Sequence, residues 1–257
     1  MLIQNFGILY NFYTWDVNAL ALFARMTAIG ETPTTARQIA INNCIISLKL
    51  NNLFNTQFDF LVVTRAHAAG SGLLNWIGNF YNPTGFTNGG TLNFTTDVGY
   101  YSDGVKSCIK IGLQNALTLY TRNDACFGIK DGGSSNAGYC GFYNSAGGSN
   151  HIASTYARLN STTGAASTLG AMGYTNHSRF SSTGFEKYNN ASKQVITSAS
   201  QALVAVDDYV MAFNANGTLQ NFWPTTRKLE MIWKGKALTE ANYNIFRTIF
   251  DAYFATF

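Results

Sequence analysis

Acidic side chains are scarce in this chain: 13 aspartates and glutamates in 257 residues, of which only Glu31, Glu186, Glu230 and Glu240 are glutamates. Charge of either sign is thin, at 12% of residues, and the 17 lysines and arginines that leave a formal net charge of +4 are scattered. No dense basic run is present to track a phosphate backbone, so nucleic acid is not an expected partner and the surface reads as mildly basic. The three histidines, His67, His151 and His177, are far apart and have no Cys, Asp or Glu at ligand spacing, which argues against a metal site. Four cysteines, Cys44, Cys108, Cys126 and Cys140, contain no Cys-x-x-Cys pair. They read as buried free thiols, with a Cys126–Cys140 bridge as the alternative. No apolar run reaches the roughly 18 residues of a spanning helix, so membrane insertion is not expected. Met1 to Tyr13 has no basic start and carries Gln4, Asn5 and Asn11 within its apolar run, unlike a signal peptide. Nucleophile-elbow, phosphate-loop and dinucleotide motifs are missing as well.

What the chain does have is aromatic residues, at 14%, together with Gly, Asn and Ser clusters that punctuate short alternating segments. From about Leu92 to Met231 this is the pattern of many short strands in a sandwich or jelly roll. Cys108, Ile109 and Ile111 alternate around Lys106 and Lys110, and Leu117, Leu119 and Tyr120-Thr121-Arg122 read as the end of a paired strand. Lys228 to Trp233 is a closing strand. Ile245, Phe246, Ile249, Phe250, Tyr253 and Phe254 then recur at helical spacing, with Thr239 as N-cap and Leu238 and Tyr243 placed for a hydrophobic staple.

The N-terminal third reads differently. Val17, Leu20, Ala21 and Ala24 form the stripe of a first helix; Ala36, Ala40, Cys44 and Leu48 with Ile41 and Ile45 form that of a second, with Thr32 as its cap and Pro33 at the first helical position. Phe58 to Val63 is apolar enough for a central strand, and Trp76, Phe80 and Tyr81 pin a Gly- and Asn-rich connector to the body. The expected organisation is a helical segment with connector over residues 1–90 and a β domain with its terminal helix over 91–257, folded as one continuous unit.

Several blocks, in order, resemble the concanavalin A-like (laminin G-like) jelly-roll domains of bacteriophage tail and fibre proteins. They are Ala19 to Met26 followed by Thr32-Pro33-Thr34-Thr35-Ala36-Arg37, then Leu73-Leu74-Asn75-Trp76, Phe94 to Gly104, Tyr188-Asn189-Asn190, and Ile232 to Thr239. The likeness runs from about residue 15 to 257 and departs at Asn189-Asn190, where the family often has Asn-Gly. Phe6 to Tyr13 resembles the Gly-x-Leu-Tyr-Asn-Trp-Tyr opening of a second repeat family of phage and bacterial surface proteins. The jelly-roll resemblance implies a mainly β concanavalin A-like sandwich with N-terminal helices and a closing C-terminal helix. It also implies a virion protein assembled in the host cytoplasm with copies of itself and other virion proteins.

Glycan-cleaving enzymes occur among such jelly rolls, but the glutamates here do not fall in the Glu-x-Asp-x-x-Glu pattern of the related glucanases, and hydrolysis needs two positioned carboxyl groups. Asp207 and Asp208 would face opposite sides of a strand and read as a turn. Catalysis is therefore not expected. Asp97 and Asp103, beside Gly99 and Gly104, have the oxygen chemistry of a calcium site, against a turn role for the same residues.

One stretch is atypical: from Gly132 through Ser178 the only charged residue is Arg158. An uncharged surface of this kind suits burial between copies. It also suits a lectin-like rim, because Tyr139, Tyr143, Asn144, Asn150 and His151 combine flat aromatic faces with neutral hydrogen-bonding groups. Trp223, in Asn221-Phe222-Trp223-Pro224, is the tryptophan placed to act as a sugar platform, against packing across the sheet edge as the commoner role. Two functions compete: a tail, fibre or surface adhesin that binds host-surface glycan, and a capsid-decoration or tail protein that is purely structural.

Overall fold

Alternation in three strands decides the layers. The computed structural model describes residues 14–113, 116–132, 140–143, 147–153, 156–169 and 173–257; Tyr139, Asn144 and Phe6 to Tyr13, singled out in the sequence, lie outside these residues. Three helices, α1 (Val17–Ala28), α2 (Thr35–Leu50) and α3 (Glu240–Phe254), and a 3-10 turn at Ser71–Leu73 accompany seventeen strands among them. In chain order the strands are β1 (Phe58–Val63), β2 (Thr84–Thr87), β3 (Asn93–Thr95), β4 (Gly99–Tyr101), β5 (Ser107–Leu113), β6 (Ala125–Gly132), β7 (Cys140–Tyr143), β8 (Ser149–Ile152) and β9 (Tyr156–Ser161). They continue as β10 (Ala165–Ala166), β11 (Gly173–Arg179), β12 (Gly184–Asn189), β13 (Ser192–Thr197), β14 (Asp207–Val210), β15 (Phe213–Ala215), β16 (Thr218–Gln220) and β17 (Lys228–Gly235).

The main sheet runs β13-β12-β11-β6-β17-β4-β3, with β1 also paired to β17; a second runs β10-β9-β8-β7-β15-β16; a third, β14-β5-β2. Phe60, Val62, Phe127, Ile129 and Ile232 of the main sheet face a core shared with Ile109, Ile152, Leu159 and Val210 of the other two. Their neighbours Phe58, Leu61, Val63, Cys126, Met231 and Trp233 point the opposite way, into a core with the three helices. Strands whose two faces are both buried read as nearly continuous apolar runs, as Phe58 to Val63 and Leu229 to Trp233 do. The result is a mainly β sandwich whose large sheet is covered on its outer side by helices.

Each helix starts on a side-chain cap. Asp16 accepts from the Asn18 N–H, Thr34 from Arg37 and Thr239 from Asn242. Thr34 therefore replaces Thr32 as the cap of α2, and Pro33 lies outside the helix. Leu238 and Tyr243 are buried in the same helical core, as a staple requires. Trp76 packs against Phe250 and Tyr253 at centroid distances of 6.2 and 5.5 Å, so the connector is pinned to α3.

Other expectations are corrected. Residues 58–63 form the expected strand, paired to β17, whereas residues 84–87, expected to be connector, form β2 and pair with β5. Residues 117–119 are not a strand: the buried Asp59 carboxylate accepts the N–H groups of Thr118, Leu119 and Tyr120, which are thereby withdrawn from any ladder. Asp207 and Asp208 lie on β14 rather than in a turn, and their side chains do diverge: Asp207 pairs with Lys110 and Asp208 with Lys234. Asp97 pairs with Arg37, and the Asp103 carboxylate accepts the N–H groups of Val105, Lys106 and Ser107, the contacts of a turn. All four cysteines are free and buried, with Cys126 in the helical core and Cys140 in the inter-sheet core.

Candidate functional site

The second sheet builds a cleft on its outer face, and register explains its membership. Gly141 of β7 stands opposite His151 of β8 on one side and Phe213 of β15 on the other. Next to these pairs, His151 faces Arg158 of β9, Ala215 faces Tyr143, and Gln220 faces Phe213. Residues paired across a sheet share a face. A cleft of about 210 Å³ is accordingly lined by Tyr143, His151, Tyr156, Arg158, Phe213, Ala215 and Gln220.

Gly141 stands between two of these rings in the sheet. Having no side chain, it lets the His151 and Phe213 rings meet across it at a centroid distance of 4.5 Å and an interplanar angle of 31°. Its φ of +110° suits only glycine, and a Cβ there would overlap the Asn150 carbonyl oxygen. At the other end the Arg158 guanidinium lies 4.7 Å from the centre of the Tyr143 ring and 5.3 Å from that of Tyr156. Burial pushes the His151 imidazole down to about 3, helped by Arg158 and Lys187, so the ring is neutral at ordinary pH. The cleft thus offers two tyrosines, a neutral imidazole, an amide and one cation, a set that can stack on a flat ring face and donate hydrogen bonds.

Of the residues singled out in the sequence, Tyr143 and His151 line this cleft. Asn150, one residue from His151, points to the opposite face and is buried: its amide donates to Asp208 at 3.2 Å, and its oxygen accepts from the Tyr120 hydroxyl at 3.0 Å and the Asn160 N–H at 3.1 Å. It braces β8 and β9 from behind instead of meeting a ligand. Trp223 is also corrected: its exposure is 0%, and its ring lies in the inter-sheet core with the Arg227 guanidinium 3.9 Å from its centre. A fully buried indole offers no face to a sugar. Tyr156, Arg158, Phe213 and Gln220 were missed. The Tyr156-x-Arg158 alternation was the available signal, since it puts both side chains on one face of β9.

A larger groove, about 390 Å³, lies between α2 and α3, lined by Ala40, Ser47, Ile249 and Ala252 among others; no charged group lines it. No group of three or more His, Cys, Asp or Glu side chains comes together among the described residues to hold a metal, and no helix among them is long and apolar enough to cross a membrane.

No protein-family model matches the chain, and no curated protein matches it. Among solved structures it is similar to domain 4 of AbnA, a GH43 extracellular arabinanase from Geobacillus stearothermophilus, solved in complex with arabinotriose. That match has 13% identity and a TM-score of 0.51, and covers 74% of this chain and 98% of that one. The binding domain of botulinum neurotoxin serotype D/C VPI 5993 matches at 12% identity and a TM-score of 0.49, over 76% of this chain and 53% of that one. At such identities the arabinanase domain shows the fold, a β sandwich, and the neurotoxin domain adds nothing further to it.

Proposed function

We propose that this chain is a glycan-binding module of a surface adhesin, with the outer-face cleft of the second sheet as its site. The observation that carries the reading is the cleft itself: Tyr143, Tyr156, His151 and Phe213 brought together by register, the last two on either side of Gly141, with Arg158 and Gln220 as polar partners. Saccharides are held by this mixture of aromatic faces and hydrogen-bonding groups. The architecture is compatible with such a ligand, since the AbnA domain was solved with arabinotriose.

Binding rather than catalysis fits the disposition of the carboxylates. None lines the cleft. Glu31 caps the Ser71–Leu73 turn through the Gly70 and Ser71 N–H groups, Glu230 is shared by Lys130 and Arg65, and Glu186 and Glu240 meet at Lys193. The ordered blocks from residue 15 to 257 that resemble phage tail and fibre jelly rolls support a virion setting, in which the chain is assembled in the host cytoplasm with copies of itself and other virion proteins. Several weak sites on one particle would then act together, so that avidity offsets low single-site affinity.

The test is a bacterial glycan array probed with the multivalently displayed protein beside Tyr143→Ala and Tyr156→Ala. Specific signal lost in both variants, with their melting temperatures unchanged, is the expected result. A folded, multivalent protein that binds no glycan would leave the purely structural virion role in its place.

A further inference from the structure

We infer that the glycan bound in this cleft is acidic, carrying a carboxylate that Arg158 receives. This rests on the reading of the cleft as a saccharide site and adds the ligand's chemical class.

The inference comes from how the chain treats its other cations. Arg37 pairs with Asp97, and Arg227 with Asp131. Arg179, also buried, donates to the carbonyl oxygens of Leu159 and Ser198. Arg122 donates to the Ser200 carbonyl. Among the described residues Arg158 has no such acceptor. It takes part in none of the ion pairs among the described residues. All 13 carboxylate side chains of the chain lie among those residues, so none elsewhere is available to it. Its Nε is buried without a hydrogen-bond partner, and what surrounds its guanidinium is the Tyr143 and Tyr156 rings.

A half-buried guanidinium held between two ring faces keeps its in-plane N–H groups free, and these match a carboxylate in a two-point fork. The other residues lining the cleft bring no negative charge that would oppose an anionic ligand: His151 is neutral at ordinary pH, and Gln220 is an amide. A neutral sugar would leave the one cation of the cleft unmatched. A carboxylated sugar supplies both its acceptor and a ring for the tyrosines.

The experiment uses the full chain on a biolayer sensor against polygalacturonate, hyaluronate and polysialate, each beside its carboxyl-reduced counterpart, with dextran sulfate as a bare polyanion. The expected result is that at least one acidic form binds at least tenfold more tightly than its reduced form. Arg158→Gln should lose roughly 10- to 100-fold of that affinity, as removal of a charge-assisted hydrogen bond would, and no longer distinguish the acidic form from its reduced counterpart. Arg158→Lys, which keeps the charge but not the fork, should fall between. Equal binding of acidic and reduced forms, or binding of dextran sulfate that matches the best acid, overturns the inference while leaving the saccharide site standing. No binding to any saccharide overturns both. Unchanged melting temperatures of the two variants separate loss of the contact from loss of the fold.

Discussion

Replacing Lys234 by Met should be among the most damaging single changes in the inter-sheet core. Lys234 on β17 and Asp208 on β14 form an ion pair whose side chains are 4% and 0% exposed, and the Lys234 Nζ also lies 4.8 Å from the centre of the Phe127 ring. Removing one member of such a pair leaves the other as an uncompensated buried charge, at a cost of about 3–5 kcal/mol. Asp208 would keep its 3.2 Å bond from the Asn150 amide, which is too little to replace an ammonium. The effect has a pH signature. Burial already raises the Asp208 carboxyl above the usual carboxylate range, with Lys234 opposing it, so loss of Lys234 raises it further. Over the interval between the unfolded and folded values the native state then binds more protons than the unfolded state, and stability rises as pH falls. Urea unfolding of Lys234→Met should therefore show a deficit that is largest at neutral pH and shrinks towards pH 4. Adding Asp208→Asn, an uncharged amide that still accepts from Asn150, should recover most of it. A loss below about 1 kcal/mol at pH 7, or a double variant as unstable as the single one, would refute the assignment of an electrostatically coupled buried pair.

Three further outcomes follow from the packing of the core and the cleft. Trp223→Ala, which empties a fully buried site, should cost about 3–5 kcal/mol in denaturant unfolding yet leave glycan binding by the folded fraction intact; normal stability with lost binding would contradict its placement in the core. Gly128→Ala should cost about 1–3 kcal/mol by overpacking, because its Cβ would overlap the Trp233 indole, whose Nε1 donates to Asn176 at 2.8 Å; wild-type melting would contradict that fit. His151 and His177 are both held neutral by burial, with Arg158 and Lys187 adding for the first and Lys187 for the second. The unfolded chain takes up protons at both near pH 6.5 and the folded chain does not, so melting temperature should fall as pH drops from about 7.5 to 5, and His151→Gln with His177→Gln should flatten that slope.

Much of the architecture was legible in the sequence, and the reasons are local. The Ile245 to Phe254 stripe with its Thr239 cap, and the apolar runs 58–63 and 229–233, carry periodicity strong enough to fix an element type. What was not legible depends on partners distant in the chain. Residues 117–119 look like a strand until Asp59, some 60 positions away, takes their N–H groups. Trp223 looks like a loop platform until Arg227 and the inter-sheet core close over it. The cleft shows the same division. Tyr143 and His151 belong to a visibly unusual stretch, but Phe213 joins them only through the parallel pairing of β15 with β7. Asn150 and His151 are neighbours in sequence that serve opposite faces of one strand, and the β8–β9 register decides which of them lines the cleft.

The central claim is that a saccharide sits on the outer face of the second sheet, and amide chemical-shift mapping of the full chain with an array-positive glycan tests it most directly. Shifts centred on Tyr143, Tyr156, Arg158 and Phe213, absent from Tyr156→Ala, are the predicted result. Shifts confined to the groove between α2 and α3, or to the β12–β13 edge, would contradict it.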